Sequence, residues 1–108
     1  MKFEALLASA RRASTLLKSM GNEHRLMILC HLAQGEMSVG ELLERLPLSQ
    51  SALSQHLARL RRDKLVKTRR ERQTIFYSLA GPESASVIKT LYGLYCAPRA
   101  KRAARRAR

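Results

Sequence analysis

A chain of 108 residues suits one domain with a modest core, because a chain this short buries only about two-thirds of the surface its unfolded form exposes. Its 21 Lys and Arg against 8 Asp and Glu give a formal charge of +13, which makes a polyanion the first partner to consider. The longest apolar run, Leu26 to Cys30, is five residues where a bilayer span needs about 20, and the early acid in Lys2-Phe3-Glu4-Ala5 argues against a secretory leader, so the expectation is a cytoplasmic protein that meets nucleic acid and no membrane.

Phe3, Leu6, Leu7, Ala10, Ala13, Leu17 and Met20 recur at helical spacing, which predicts an amphipathic helix over about 3–20, ending near Gly21-Asn22. A second helix is expected from Glu23 to Ala33, closing at Gly35; its centre, Leu26-Met27-Ile28-Leu29-Cys30, is apolar on most sides and so belongs inside. Ser38-Val39-Gly40-Glu41 is a capping box, with the Ser hydroxyl facing the Glu41 amide and the carboxylate reaching back, and it opens a short third helix that ends near Leu46. After Pro47-Leu48, Ser49 is a good N-cap for a fourth helix over Gln50–Arg62. Two helices joined so closely are the mark of a helix-turn-helix.

Beyond Asp63-Lys64 the period drops to about two, with Val66, Thr68 and Arg70 in one run and Ile75, Tyr77 and Leu79 in the next. These are two strands of a hairpin turning at Arg72-Gln73. Gly81-Pro82 stops the second strand and starts a last helix, about Glu83 to Cys96, with the apolar stripe Val87, Ile88, Leu91, Leu94 and Tyr95. From Ala97 on only Ala, Pro, Arg and Lys occur, and six of the last ten residues are basic. The expected organisation is therefore a winged helix-turn-helix domain at 1–96 and a basic, disordered tail at 97–108. The fold class is mostly α with a small β-hairpin, in the order α-α-α-α-β-β-α. The stripes of the first and last helices have no evident destination in so small a domain, and pairing them across a two-fold axis would bury them in a homodimer.

In a helix-turn-helix the second helix enters the major groove and its first turns face the base edges. Behind the cap residue Ser49, this places Gln50, Ser51, Ser54 and Gln55 toward bases, with Leu53, Leu57 and Leu60 on the core side. Gln pairs with adenine through two hydrogen bonds and Ser serves several bases. Arg59, Arg61, Arg62, Lys64, Lys67, Arg69, Arg70 and Arg72 put eight cations into fourteen residues against only Asp63 and Glu71. Cations on a hairpin beside the reading helix can lie along phosphates, where counterion release supplies much of the affinity. Arg59, Arg62, Arg69, Arg70 and Arg72 are the expected backbone contacts. His56 and Thr68 are within reach of the backbone as well, although a packed or capped His56 fits the sequence equally.

The motifs LSQSALSQHLARLR, LVKTRR and TIFYSL, with Gly21 to Leu29 upstream, closely resemble the ArsR family of bacterial winged-helix repressors. The resemblance implies a homodimer that binds double-stranded operator DNA and is not an enzyme. Arg72 departs from the family, in which Gly is usual at the hairpin tip, so a wider or more basic tip is expected.

Many members of that family sense metals. The arsenic-type site needs paired cysteines in the third helix, and Glu41 to Leu46 has none; the zinc-type site needs His and Asp on the last helix, and Glu83 to Cys96 has neither. Two thiols alone make a poor zinc site, which disfavours metal sensing, although His24, His31 or a partner subunit could complete one. No cofactor or metal is expected. Cys30 and Cys96 lie 66 positions apart, in the contexts ILCHL and TLYGLYC, and this pair resembles the BigR or SqrR branch of persulfide sensors. By that resemblance, reduced protein represses sulfide-detoxification genes, and persulfides or polysulfides join Cys30 to Cys96 by a disulfide or polysulfide bridge that weakens DNA binding. From the residues alone, the helix dipole opposes a Cys96 thiolate while Arg99, Lys101 and Arg102 favour it. Readings that remain are a metal- or oxidant-responsive repressor, a small thiol-dependent sulfur-transfer enzyme (though no C-x-x-C pair or glycine-rich loop is present), and a non-specific nucleic-acid binder.

Overall fold

The computed structural model describes residues 2–96, so the basic tail at 97–108 lies outside the described residues. In chain order the elements are α1 (Phe3–Met20), α2 (Glu23–Leu32), β1 (Met37–Ser38), α3 (Val39–Arg45), α4 (Gln50–Arg62), β2 (Val66–Glu71), β3 (Thr74–Leu79) and α5 (Pro82–Tyr95). The expected winged helix-turn-helix order is present with one addition. β1 joins the hairpin, pairing Met37 with Tyr77 and Ser38 with Phe76, to make a three-stranded antiparallel sheet ordered β1-β3-β2.

Local signals start and stop the helices where side chains satisfy the orphan backbone groups. The Asn22 carboxamide oxygen accepts from the His24 and Arg25 amides at 3.0 and 3.1 Å and starts α2. At α3 the capping box is complete: the Glu41 amide donates to Ser38 Oγ at 3.2 Å, and the Ser38 amide donates to Glu41 Oε1 at 3.1 Å. The Ala52 amide donates to Ser49 Oγ at 3.2 Å and fixes the first turn of α4. That helix ends in a Schellman turn, with Leu65 N–H on Leu60 O at 2.9 Å and Lys64 N–H on Arg61 O at 3.1 Å. Lys64 takes the left-handed position, φ 63°, which glycine usually fills.

Ile28 and Leu29 of α2, Leu42 of α3, and Leu53, Leu57 and Leu60 of α4 are the centre of the core, joined by Leu65, Val66 and Ile88. Leu53, Leu57 and Leu60 are 0, 1 and 0% exposed, so the core-side stripe of α4 is the one its sequence spacing indicates. Arg25, only 8% exposed, donates from Nε to Ser19 O at 2.6 Å and from Nη2 to Lys18 O at 3.4 Å. It thereby ties the last turn of α1 to the first turn of α2, occupying carbonyls the helix end leaves open.

Among the described residues, the outer stripes of α1 and α5 stay largely exposed. Phe3, Leu6, Leu7 and Leu17 on α1, and Tyr92, Leu94 and Tyr95 on α5, are all exposed, Phe3 at 84% and Tyr95 at 71%. The α5 stripe divides: Ile88 is buried and Val87 packs on the core, while the residues one to two turns later face out.

Candidate nucleic-acid interface and thiol pair

The reading head follows from the two caps. The Ser38 box sets α3, the Leu46-Pro47-Leu48 link turns the chain, and Ser49 launches α4 with its leucines inward. Helical geometry then puts Gln50, Ser51, Ser54 and Gln55 outward, and all four are exposed. Ser49 is committed to its own helix, because its hydroxyl caps Ala52 and lies 3.3 Å from Ser51 Oγ. His56 is half-buried, its ring 5.8 Å from that of His24 on α2. Burial foremost, then Arg25, His24 and Arg59, hold the His56 imidazole below its ordinary value. The packed placement that the sequence leaves open for His56 is met in part, since the side chain is half-buried.

At the far end of α4, Asp63 gathers Arg62 at 3.2 Å and Arg59 at 3.7 Å. Its carboxyl is held below the usual range, first by the Arg62 hydrogen bond. Arg62 keeps 70% of its side chain exposed in that pair, so its charge remains presented to solvent on the last turn of α4, whereas Arg59 is half-buried.

The wing has a two-residue tip. Glu71 pairs with Thr74, and Arg72 stands between them at φ 58°, so the substitution of Arg for the expected Gly makes the tip more basic without widening it. Arg70 and Arg72 are exposed. Arg69 is placed differently: its Nε donates to Glu36 Oε2 at 2.9 Å and Oε1 at 3.0 Å, its Nη2 pairs with Glu36 Oε1, and its Nη1 donates to Glu71 Oε2 at 2.8 Å. The same guanidinium lies 4.7 Å from the ring centroid of Phe76. Glu36 and Phe76 were not among the residues singled out in the sequence, and Glu36 sits 33 positions from its partner, so no local pattern signals the pair.

Cys30 is half-buried on α2, packed on the core, and Cys96 is exposed at the end of α5. Both thiols are free. The helices that carry them pack together, and the Cys30 thiol is pushed up, chiefly by burial and further by charge on Cys96, as two neighbouring acids disfavour each other's ionisation. Among the described residues, no three His, Cys, Asp or Glu side chains are grouped to hold a metal ion, and no helix is long and apolar enough to cross a membrane.

A capped reading helix with a bare polar first turn, set beside a cationic wing, defines a winged helix-turn-helix DNA-binding protein. Residues 22–68 match the family model of bacterial regulatory proteins of the arsR family. The chain is 55% identical to the transcriptional activator HlyU of Vibrio cholerae over 89% of each protein. It is 47% identical to the biofilm growth-associated repressor of Agrobacterium fabrum, over 87% of this chain and 80% of that one. The structure of reduced HlyU from Vibrio cholerae superposes with a TM-score of 0.83 at 55% identity, covering 87% of this chain and 99% of that one. The chain belongs to the ArsR family of bacterial transcription regulators and, like these relatives, is a DNA-binding regulator, not an enzyme.

Proposed function

We propose that the chain is a homodimeric, sequence-specific repressor of sulfide-detoxification genes that leaves its operator when reactive sulfur links Cys30 to Cys96. The observation that carries this reading is the thiol pair: Cys96 is exposed at the end of α5, where it can meet the donor, and Cys30 is half-buried on α2, the helix that α5 packs against. The Cys96 thiolate attacks the outer sulfur of a persulfide R–S–SH, giving Cys96–S–SH and the thiolate RS−. The Cys30 thiolate then attacks Cys96 Sγ and expels HS−, which leaves a disulfide. Two protein thiols are oxidised and one persulfide is reduced to a thiol and hydrogen sulfide. If Cys96–S–S− first takes the outer sulfur of a second persulfide, giving Cys96–S–S–SH and RS−, the Cys30 thiolate attacks the middle sulfur and expels HS−; the product is a trisulfide, whose longer span relaxes the limit of about 7 Å between α-carbons that a disulfide imposes. A link between α2 and α5 pulls the outer helix relative to the reading head, which is a bias on two arrangements of the dimer. A relative solved in a form described as reduced is consistent with thiol chemistry of this kind.

The dimer is supported by the uncovered stripes of α1 and α5, since apolar rows of that length on one side of a small domain mark an interface. Base contacts are assigned to Gln50, Ser51, Ser54 and Gln55, and phosphate contacts to Arg59, Arg62, Arg70 and Arg72. Mass spectrometry after persulfide treatment, run beside operator binding, tests the reading. Loss of binding should accompany a linked Cys30–Cys96 product. Cys30→Ser and Cys96→Ser should bind operator normally and ignore persulfide, and release that persists in either variant overturns the thiol mechanism. One relative is called an activator, so the sign of regulation is read separately, from a reporter in which deleting the gene raises expression for a repressor and lowers it for an activator.

A further inference from the structure

Arg69 has the composition of a phosphate contact and the geometry of a strap. Its Cα stands opposite Phe76 in the β2–β3 ladder, and Phe76 stands opposite Ser38 in the β3–β1 ladder. From the β2 edge the guanidinium crosses the Phe76 ring, 4.7 Å from its centroid, and closes on both carboxylate oxygens of Glu36, two residues before Ser38. Glu71, two residues along β2 and so on the same face, takes Nη1 at 2.8 Å. All three guanidinium nitrogens are therefore occupied, in the planar forked arrangement that arginine forms and lysine does not.

We propose that Arg69 is a positioning residue of the wing: its strap to Glu36 across Phe76 fixes the wing to the Ser38 capping box that begins the reading head, and so sets where Arg70 and Arg72 fall on the duplex. The inference rests on the DNA-reading function above, though not on the thiol mechanism. Two features favour a strap over a masked phosphate contact. Moving Arg69 to a phosphate strands the carboxylates of Glu36 and Glu71 beside a polyanion. The cluster is also net negative, with one guanidinium between two carboxylates, whereas Arg70 and Arg72 carry no acidic partner among the described residues. β1 has only two residues, too short a strand to hold the wing rigidly to α3 without such a tie.

The test uses full-length protein and a duplex selected for tight binding from a random pool, titrated at several salt concentrations with a scrambled duplex beside it. For the strap, Arg69→Met, Arg69→Lys and Glu36→Gln each weaken operator binding about two- to fivefold, as loss of a well-formed exposed ion-pair network does. They leave the dependence of binding on salt unchanged, and Glu36→Gln adds little to Arg69→Met. A masked phosphate contact reads differently: Arg69→Met lowers the salt slope by about one, Arg69→Lys largely restores it, and Glu36→Gln tightens binding. That second pattern overturns the proposal while leaving the DNA-reading function intact. A wild-type protein with no preference for the selected duplex removes both. Glu36→Gln lies on the exposed α2–β1 connection, so it supplies a well-folded variant should substitution at Arg69 disturb the sheet.

Discussion

Replacing Arg70 and Arg72 together by Ala isolates the part of the affinity that the wing draws from phosphates. Both residues are exposed on a two-residue hairpin tip, and no acidic side chain among the described residues holds either of them. Each phosphate neutralised contributes about 0.9 to the slope of log affinity against log salt. Losing two contacts should therefore flatten that slope by about 1.8, so a fourfold rise in salt costs the variant about twelvefold less affinity than it costs the wild type. Fluorescence anisotropy with a labelled operator duplex, repeated between about 50 and 200 mM salt, measures both slopes directly. Preference for operator over scrambled sequence should survive, because phosphate contacts carry register and not sequence. An unchanged slope would mean that the wing stands off the backbone, and a lost preference would mean that it reads bases; either result refutes the assignment.

Other expectations follow from single sites. Lys64→Gly should raise stability by about 1 kcal/mol, the approximate cost of a side chain in the left-handed region, measured by urea unfolding; no gain would show that the Schellman turn is unstrained at φ 63°. Ser38→Ala breaks the capping box and should cost about 1 kcal/mol, with a matching loss if the reading head frays, seen as weaker operator binding at unchanged salt slope. His56 is held below its ordinary 6.5, so the unfolded chain binds the proton more readily. Stability should then fall as pH drops through 6.5 towards the folded value and be recovered above it. His56→Gln should flatten that limb of the pH profile, and a profile that keeps its fall would place the titrating group elsewhere.

The parts of this fold that were legible in the sequence are those written in neighbouring residues. The Ser38-x-x-Glu41 box, the Ser49 cap and the leucines at 53, 57 and 60 announce α3 and α4 because capping and helical period act within one or two turns. The hairpin tip at Arg72-Gln73 was legible for the same reason. β1 was not, since Met37-Ser38 is too short to show a period of two and becomes a strand only when Tyr77 and Phe76 lie beside it. The strap on Arg69 depends on that same late event: Glu36 acquires a partner 33 residues away only once the third strand forms. Composition alone groups Arg69 with Arg70 and Arg72, and the sheet separates them. Arg25 is a comparable case, a cation in a basic chain that is buried because the end of α1 offers it carbonyls. The exposed rows on α1 and α5 are visible in both sequence and structure.

Selection of binding sites from a random duplex pool, followed by methylation interference at guanine N7 on the enriched sequence, bears most directly on how this protein reads DNA. Two inverted half-sites are predicted, centred about 10 bp or a multiple of that apart, with major-groove interference in each that Gln50→Ala and Gln55→Ala relax at particular bases. A single unrepeated motif, or enrichment of charge-driven binders with no sequence at all, would contradict a paired reading head built on α4.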